Sequence, residues 1–166
     1  MAYSTSSVAS KHGGLKAVEA FDPATDTWIT KASMPTPRYD LTAGVIKGIL
    51  YAVGGYLDTV EAYNPATDSW TAKAPMPTRR HLLAAGVISG RLYVVGGVNG
   101  NILNTVEAYN PATNEWNTCG ATTCISRMPT ARGYLAAGII GRRLYAVGGA
   151  DDNYVLSAAV EAFNPR

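Results

Sequence analysis

The chain has 166 residues, 47% of them hydrophobic, and 14 basic against 12 acidic side chains give a formal charge of +2. That is enough apolar content for a buried core in one domain or slightly more, while the scattered charges form neither the basic stripe of a nucleic-acid footprint nor an acidic tail. The opening MAYSTSSVASKHGG is polar and no run approaches the ~18 apolar residues of a membrane span, so no leader or membrane anchor is read and a cytoplasmic location is favoured.

Beyond a polar extension at 1–12, the elements read as strands. AVEAFDPATDTW (17–28) is a strand with an aromatic near its end, an Asp-Pro turn, and a second strand opened by Trp28 that runs to Met34-Pro35-Thr36. Proline presets φ for the second turn position, and Asp or Asn bonds back to the backbone. LTAGVIKGILYAVGG (41–55) is an apolar run broken by one glycine, which predicts two strands joined by a tight hairpin. TVEAYNPATDSW (59–70) then repeats the strand–turn–tryptophan unit and runs to Met76. LLAAGVISGRLYVVGG (82–97) and TVEAYNPATNEW (105–116) complete another cycle, and YLAAGIIGRRLYAVGG (134–149) with VEAFNPR (160–166) begin the next. No segment keeps a 3.6-residue period over three turns, so the chain is all-β.

Aligned on Gly13-Gly14, Gly54-Gly55, Gly96-Gly97 and Gly148-Gly149, the units recur at spacings of 41, 42 and 52 residues. The longest carries two insertions, one after Gly97 and one after Trp116. Self-similarity at such a period marks a repeat architecture. The diglycine, the aromatic before Asn/Asp-Pro and the later tryptophan, all in register, resemble the kelch repeat family over residues 13–166. The resemblance implies a β-propeller whose blades are four-stranded antiparallel sheets around a central channel, with LTAGVI, LLAAGVI and YLAAGII innermost. It divides the chain into a half blade (13–33), blades at 34–75 and 76–127, and a partial blade (128–166). A closed ring takes at least about four blades, so the ring is incomplete within this chain. The missing part is expected either from a second copy, giving six blades, or from the remainder of a longer propeller, and the third, least favoured alternative is an open arc that stands alone. In the dimer VEAF at 160–163 competes with the partner's equivalent strand, and residues 2–12 offer a further weak strand.

Arg38, Arg80 and Arg132 each stand four residues after a methionine, and Glu19, Glu61, Glu107 and Glu161 recur in otherwise apolar strands. A buried charge needs a partner, so structural ion pairs are expected. In kelch-type ubiquitin-ligase adaptors, arginines that grip acidic peptides sit two places further on. Here those places hold Asp40, Leu82 and Tyr134, and that chemistry is not supported. His12 and His81 lie in no ligand cluster, so neither a metal nor a cofactor is expected, and the several histidines of the copper radical oxidases are lacking. The Gly-Gly-Val-Asn-Gly at 96–100 precedes no helix and reads as a turn. Cys119 and Cys124, both in the second insertion, are either a short disulfide loop or two thiols.

Both insertions fall in loops that the kelch blade opens on one face, whereas the opposite face holds the near-identical NPATD turns. Residues 56–58, 98–104, 117–133 and 150–157 are therefore the expected recognition face. Its Tyr56, Asp58, Asn99, Asn101, Asp151, Asp152 and Tyr154 combine hydrogen bonding with rigid apolar surface, suited to a protein or glycan ligand. A non-catalytic binding scaffold is the favoured reading. The alternative is a sugar-active enzyme of the kelch mutarotase type, for which Asp40, Arg79, His81 and Asp151 are the acid, base and charge candidates. No catalytic set is defended by spacing.

Overall fold

Strands account for every regular element in the computed structural model, which describes residues 13–117 and 125–165. The extension at 2–12 and both cysteines lie outside those residues. β1 (Val18–Asp22) and β2 (Thr27–Lys31) form a two-stranded first sheet. The second sheet is β3 (Leu41–Ile46), β4 (Ile49–Gly54), β5 (Val60–Asn64) and β6 (Ser69–Lys73), antiparallel in sequence order. The third is β7 (Ala84–Ile88), β8 (Arg91–Val95), β11 (Val106–Asn110) and β12 (Glu115–Asn117); the small hairpin β9 (Val98–Asn99) and β10 (Asn101–Ile102) interrupts it. A fourth sheet holds β13 (Ala136–Ile140), β14 (Arg143–Val147) and β15 (Val160–Phe163). These are propeller blades in an arc that does not close within the chain.

The sequence pattern accounts for each joint. Lys47-Gly48 and Ser89-Gly90, all at positive φ, make the two-residue turns between inner strands, because turns of that hand match strand twist. In the NPAT turns, Asn64 Oδ1 accepts from Ala66 N at 3.0 Å and Asn110 Oδ1 from Ala112 N at 3.1 Å. The signature aromatics clamp sheet to sheet. Trp70 Nε1 donates to Ala32 O (2.8 Å) and Trp116 Nε1 to Ala74 O (2.9 Å). Asp68 Oδ1 accepts both Ala32 N at 2.9 Å and the Tyr63 hydroxyl at 2.6 Å. The bond to Asp68 pushes the Tyr63 hydroxyl up to about 12, and the same two donors hold the Asp68 carboxyl below its usual range.

One apolar core lies between the second and third sheets, with Tyr51, Val53, Val60, Leu92, Val94 and Tyr109. Another lies between the third and fourth, with Tyr93, Val95, Val106, Leu144 and Ala146. The inner strands crowd around the axis, and a Cβ at Gly86 would stand 2.6 Å from Ile139 Cδ1 of the next sheet.

The expected ion pairs are present within the three inner-stranded sheets. Arg38 Nη2 lies 3.1 Å from Glu61 Oε2, Arg80 Nη2 2.7 Å from Glu107 Oε1, and Arg132 Nη2 2.8 Å from Glu161 Oε2. Each arginine also donates Nη1 to the carbonyl of the first glycine of its diglycine, Gly54, Gly96 or Gly148, at 2.7–3.0 Å. The pairs of Arg80 and Arg132 are charge-to-charge contacts, since in both Nη2 has no aligned hydrogen-bond partner, whereas Arg38 Nε donates to Glu61 Oε2 at 3.3 Å. Thr36 Oγ1 donates to Glu61 Oε1 at 2.6 Å, and Thr78 Oγ1 donates to Glu107. Glu19, in the two-stranded sheet, is exposed.

Candidate functional site

Each anchored arginine sets the chain up for a sharp turn at the inner end of its blade. Two residues beyond it the backbone takes a left-handed conformation, at Asp40 (φ 52°), Leu82 (φ 54°) and Tyr134 (φ 58°). Leu82 N donates to Asp40 O at 3.1 Å and Tyr134 N to Leu82 O at 3.0 Å. One backbone bond per blade step thus runs along the channel mouth. Non-glycine residues in this region cost about 1–3 kcal/mol each and persist only where the surroundings over-determine them.

Aromatic side chains collect on this rim. The Tyr56 ring stacks on His81 with centroids 3.4 Å apart and planes 15° from parallel, and Tyr39 sits 5.1 Å from Tyr56. Tyr134 and Tyr154 are 6.4 Å apart. Burial first, then the nearby Tyr39, Asp40, Tyr134 and Tyr154, raise the Tyr56 hydroxyl above its ordinary value. Burial pulls the buried His81 imidazole down, opposed by the charge of Asp40 and by a backbone bond at Val98, and helped by Arg79. His81 is therefore a neutral ring at pH 7. A cavity of about 220 Å³ beside it is lined by Tyr56, Arg79, Arg80, His81, Val98, Asn99 and Gly100. A larger hollow of about 760 Å³, where the first sheet has no inner strands, is lined in part by Leu15, Met34, Tyr39, Asp40 and Leu41.

The loops predicted to share a face are linked to one another. Val98 and His81 exchange backbone bonds, Met128 N donates to Asn104 O (2.8 Å), and Asp152 Oδ1 accepts Ile102 N (2.8 Å). Among the predicted residues, Tyr56 and Asn99 meet at the His81 cavity, while Tyr154 joins Tyr134. Asp58, Asn99 and Asn101 are exposed. Asp151 Oδ1 is committed to Asn153 N and Val155 N within its own loop, both at 2.9 Å.

A model of the KLHDC2/KLHL20/DRC7 kelch-repeats domain matches residues 9–149. The chain belongs to the kelch-repeat family. Over 41 residues it is 49% identical to Kelch-like ECH-associated protein 1B of Danio rerio, a stretch making up 25% of this chain and 7% of that protein. It is similar in three dimensions to the structure of YjhT, with a TM-score of 0.75 at 19% identity over 92% of this chain. The kelch chain spans 63% of that solved structure. At such identity the likeness is one of fold.

Of the acid and base candidates, the kelch fold brings the charges of Asp40 and Arg79 to bear on His81, while Asp151 caps its own turn. Among the described residues, no three His, Cys, Asp or Glu side chains gather where they could hold a metal ion, and no helix is long and apolar enough to cross a membrane. Tyr39 and Tyr134 belong to the aromatic rim but were not among the predicted binding residues. Their sequence signal is position: each stands one or two places after an anchoring arginine, at the point where every blade turns into the mouth.

Proposed function

We propose that this chain is a kelch recognition scaffold that binds a protein or glycan on its variable-loop face, within a ring completed by a second copy. The observation that carries the binding reading is the mouth itself. Exposed Tyr39 and Tyr56 pair on the rim, as do exposed Tyr134 and Tyr154, and all but Tyr39 stand on left-handed backbone, whereas tyrosines elsewhere in the blades, such as Tyr51, Tyr63, Tyr93 and Tyr109, are buried. Rigid aromatic surface beside polar loops is the composition of binding patches. Support for the second copy is the bare face of the fourth sheet, where Ile140, Val147 and Val160 are exposed, and the bare Phe21, Trp28 and Ile29 of the first sheet. Such surfaces in a stable protein are covered by something.

Capture from lysate and a glycan array, each with wild type and a Tyr56/Asn99/Asp152/Tyr154 alanine variant, test the binding reading. Ligand lost in the variant is the expected result, and binding that survives it moves the site off this face. Turnover of reducing sugars followed by NMR would favour an enzyme built on Asp40, Arg79 and His81. Light scattering on a size-exclusion column should give twice the chain mass. A folded species at the single-chain mass would instead assign the bare faces to further blades of a longer chain.

A further inference from the structure

Resting on the second-copy reading above, we propose that the ring closes by hairpin exchange: β1 and β2 of a second copy displace β15 from β14, and Trp28 of that copy seats between the third and fourth sheets. The two internal junctions show the contact. Trp70 lies 5.2 Å from Tyr63 and donates to Ala32 O of the preceding unit, and Trp116 lies 5.2 Å from Tyr109 and donates to Ala74 O. Asp68 and Asn114 complete it by accepting the N–H of the same two alanines, both at 2.9 Å. The third such place, again two residues before Met-Pro, is Ser126. It stands at a cavity of about 400 Å³ lined in part by Met128, Leu144 and Phe163. The remaining tryptophan of the chain, Trp28, keeps the same 5.2 Å contact with Phe21 yet is 67% exposed, and Asp26, which corresponds to Asp68, is exposed as well.

The hairpin is the outer half of a blade already built. Val18 pairs with Lys31 and Asp22 with Thr27, in the register in which Val60 pairs with Lys73 and Asn64 with Ser69. Its first four residues, VEAF, are those of β15. β15 pairs on β14 with Phe163 opposite Leu144, so β1 in its place sets Phe21 there and Glu19 against Arg132, where Glu161 otherwise sits. The exchange keeps the ladder and the ion pair, and it adds a fourth strand and the burial of an indole, a side chain that dominates interface energetics. Swapping identical elements between copies has little cost. The hairpin is also tied to its own second sheet, because Trp70 and Asp68 hold Ala32 just beyond β2. Seating it therefore carries that second sheet onto the bare face of the fourth. There too the halves match. A Cβ at Gly44 would stand 2.5 Å from Leu92 and one at Gly86 3.2 Å from Leu144, whereas one at Gly138 meets nothing within 4 Å. The residues in the places of Val87 and Leu92 that would meet Gly138 are Val45, 56% exposed, and Leu50, half-buried. β13 and β14 fill the hollow where the first sheet has no inner strands. Two such junctions join two whole sheets from each chain through two shared ones, a closed ring of six.

Light scattering over a concentration series of the full chain, with tryptophan emission read in parallel, tests the exchange. Trp28 and Glu19 are exposed in the single chain, so Trp28→Ala and Glu19→Gln should leave its urea midpoint in place. Trp28→Ala should weaken the double-mass species about thirtyfold and Glu19→Gln about tenfold. Glu161→Gln acts on the strand that leaves and should not weaken it, and Phe163→Ala repeats that arm without touching the ion pair. Wild-type emission should move to shorter wavelength on association, and that of Trp28→Phe should move far less. A double-mass species indifferent to Trp28→Ala or to Glu19→Gln, or one that Phe163→Ala weakens, overturns the exchange and leaves the second-copy reading standing. If wild type keeps the single-chain mass at every concentration, both fall and the bare faces belong to further blades of a longer chain.

Discussion

The outward face of the third sheet and that of the fourth are nearly the same surface in two environments. AAGVI and RLYVV in the third correspond to AAGII and RLYAV in the fourth. Ile88 is 3% exposed and its counterpart Ile140 69%; Val106 is 4% exposed and Val160 61%. A Cβ at Gly86 collides with the next sheet, while one at Gly138 meets nothing within 4 Å. Residue type is therefore not what buries a propeller face. Each sheet is apolar on both sides, and the neighbour that covers it decides whether that surface is core or liability.

The largest effect should come from the ion pairs that hold each closed sheet. Arg80→Met leaves Glu107 buried without its cation and should destabilise folding by about 3–5 kcal/mol, measured by urea denaturation. Replacing exposed Glu19 by Gln should move the midpoint very little, and equal costs would break the contrast between closed and open sheets. Next, Leu92→Ala, at a fully buried position, should cost about 2–5 kcal/mol. At concentrations where the chain is monomeric, Ile140→Ala should cost under about 0.5 kcal/mol. Ile140→Asp should abolish the double-mass species if a second copy covers this face. The glycine pair sharpens the same point more gently: Gly86→Ala should lose about 1–3 kcal/mol by overpacking, whereas Gly138→Ala should leave the single chain unaffected and weaken only its association.

The smallest effect concerns pH. The folded-state pKa of His81 is depressed, chiefly by burial, so the unfolded chain takes up this proton first as the pH falls. Its contribution is present above the ordinary histidine value of about 6.5 and is lost on acidification below it. The thermal midpoint of wild type should therefore drop more between pH 7 and 5 than that of His81→Gln, and parallel curves would show that the buried ring does not govern this range.

Most of the blade was legible in the chain because its determinants are local and repeated. Glycine hairpins, Asn-Pro turns and alternating strands act over a few residues, and recurrence at a fixed period reveals the unit. The Arg–Glu pairs were legible for a related reason: a charge recurring in an apolar strand must meet its opposite. What the sequence could not give was the company each loop keeps. Tyr56 on His81, Tyr134 beside Tyr154 and Asp152 on Ile102 join residues 20 to 50 positions apart, and such meetings depend on how one blade is rotated against the next. Asp151 and Asp152 read as loop carboxylates of the recognition face, and the fold adds that Oδ1 of each accepts backbone N–H groups; Asp40 read as an acid or base candidate, and the fold sets it beside Tyr39 at the hollow of the first sheet. Strand identity is written in the period of the chain, but the chemistry of the mouth was decided by tertiary structure, because only the stacking of blades brings those loop ends within reach of one another.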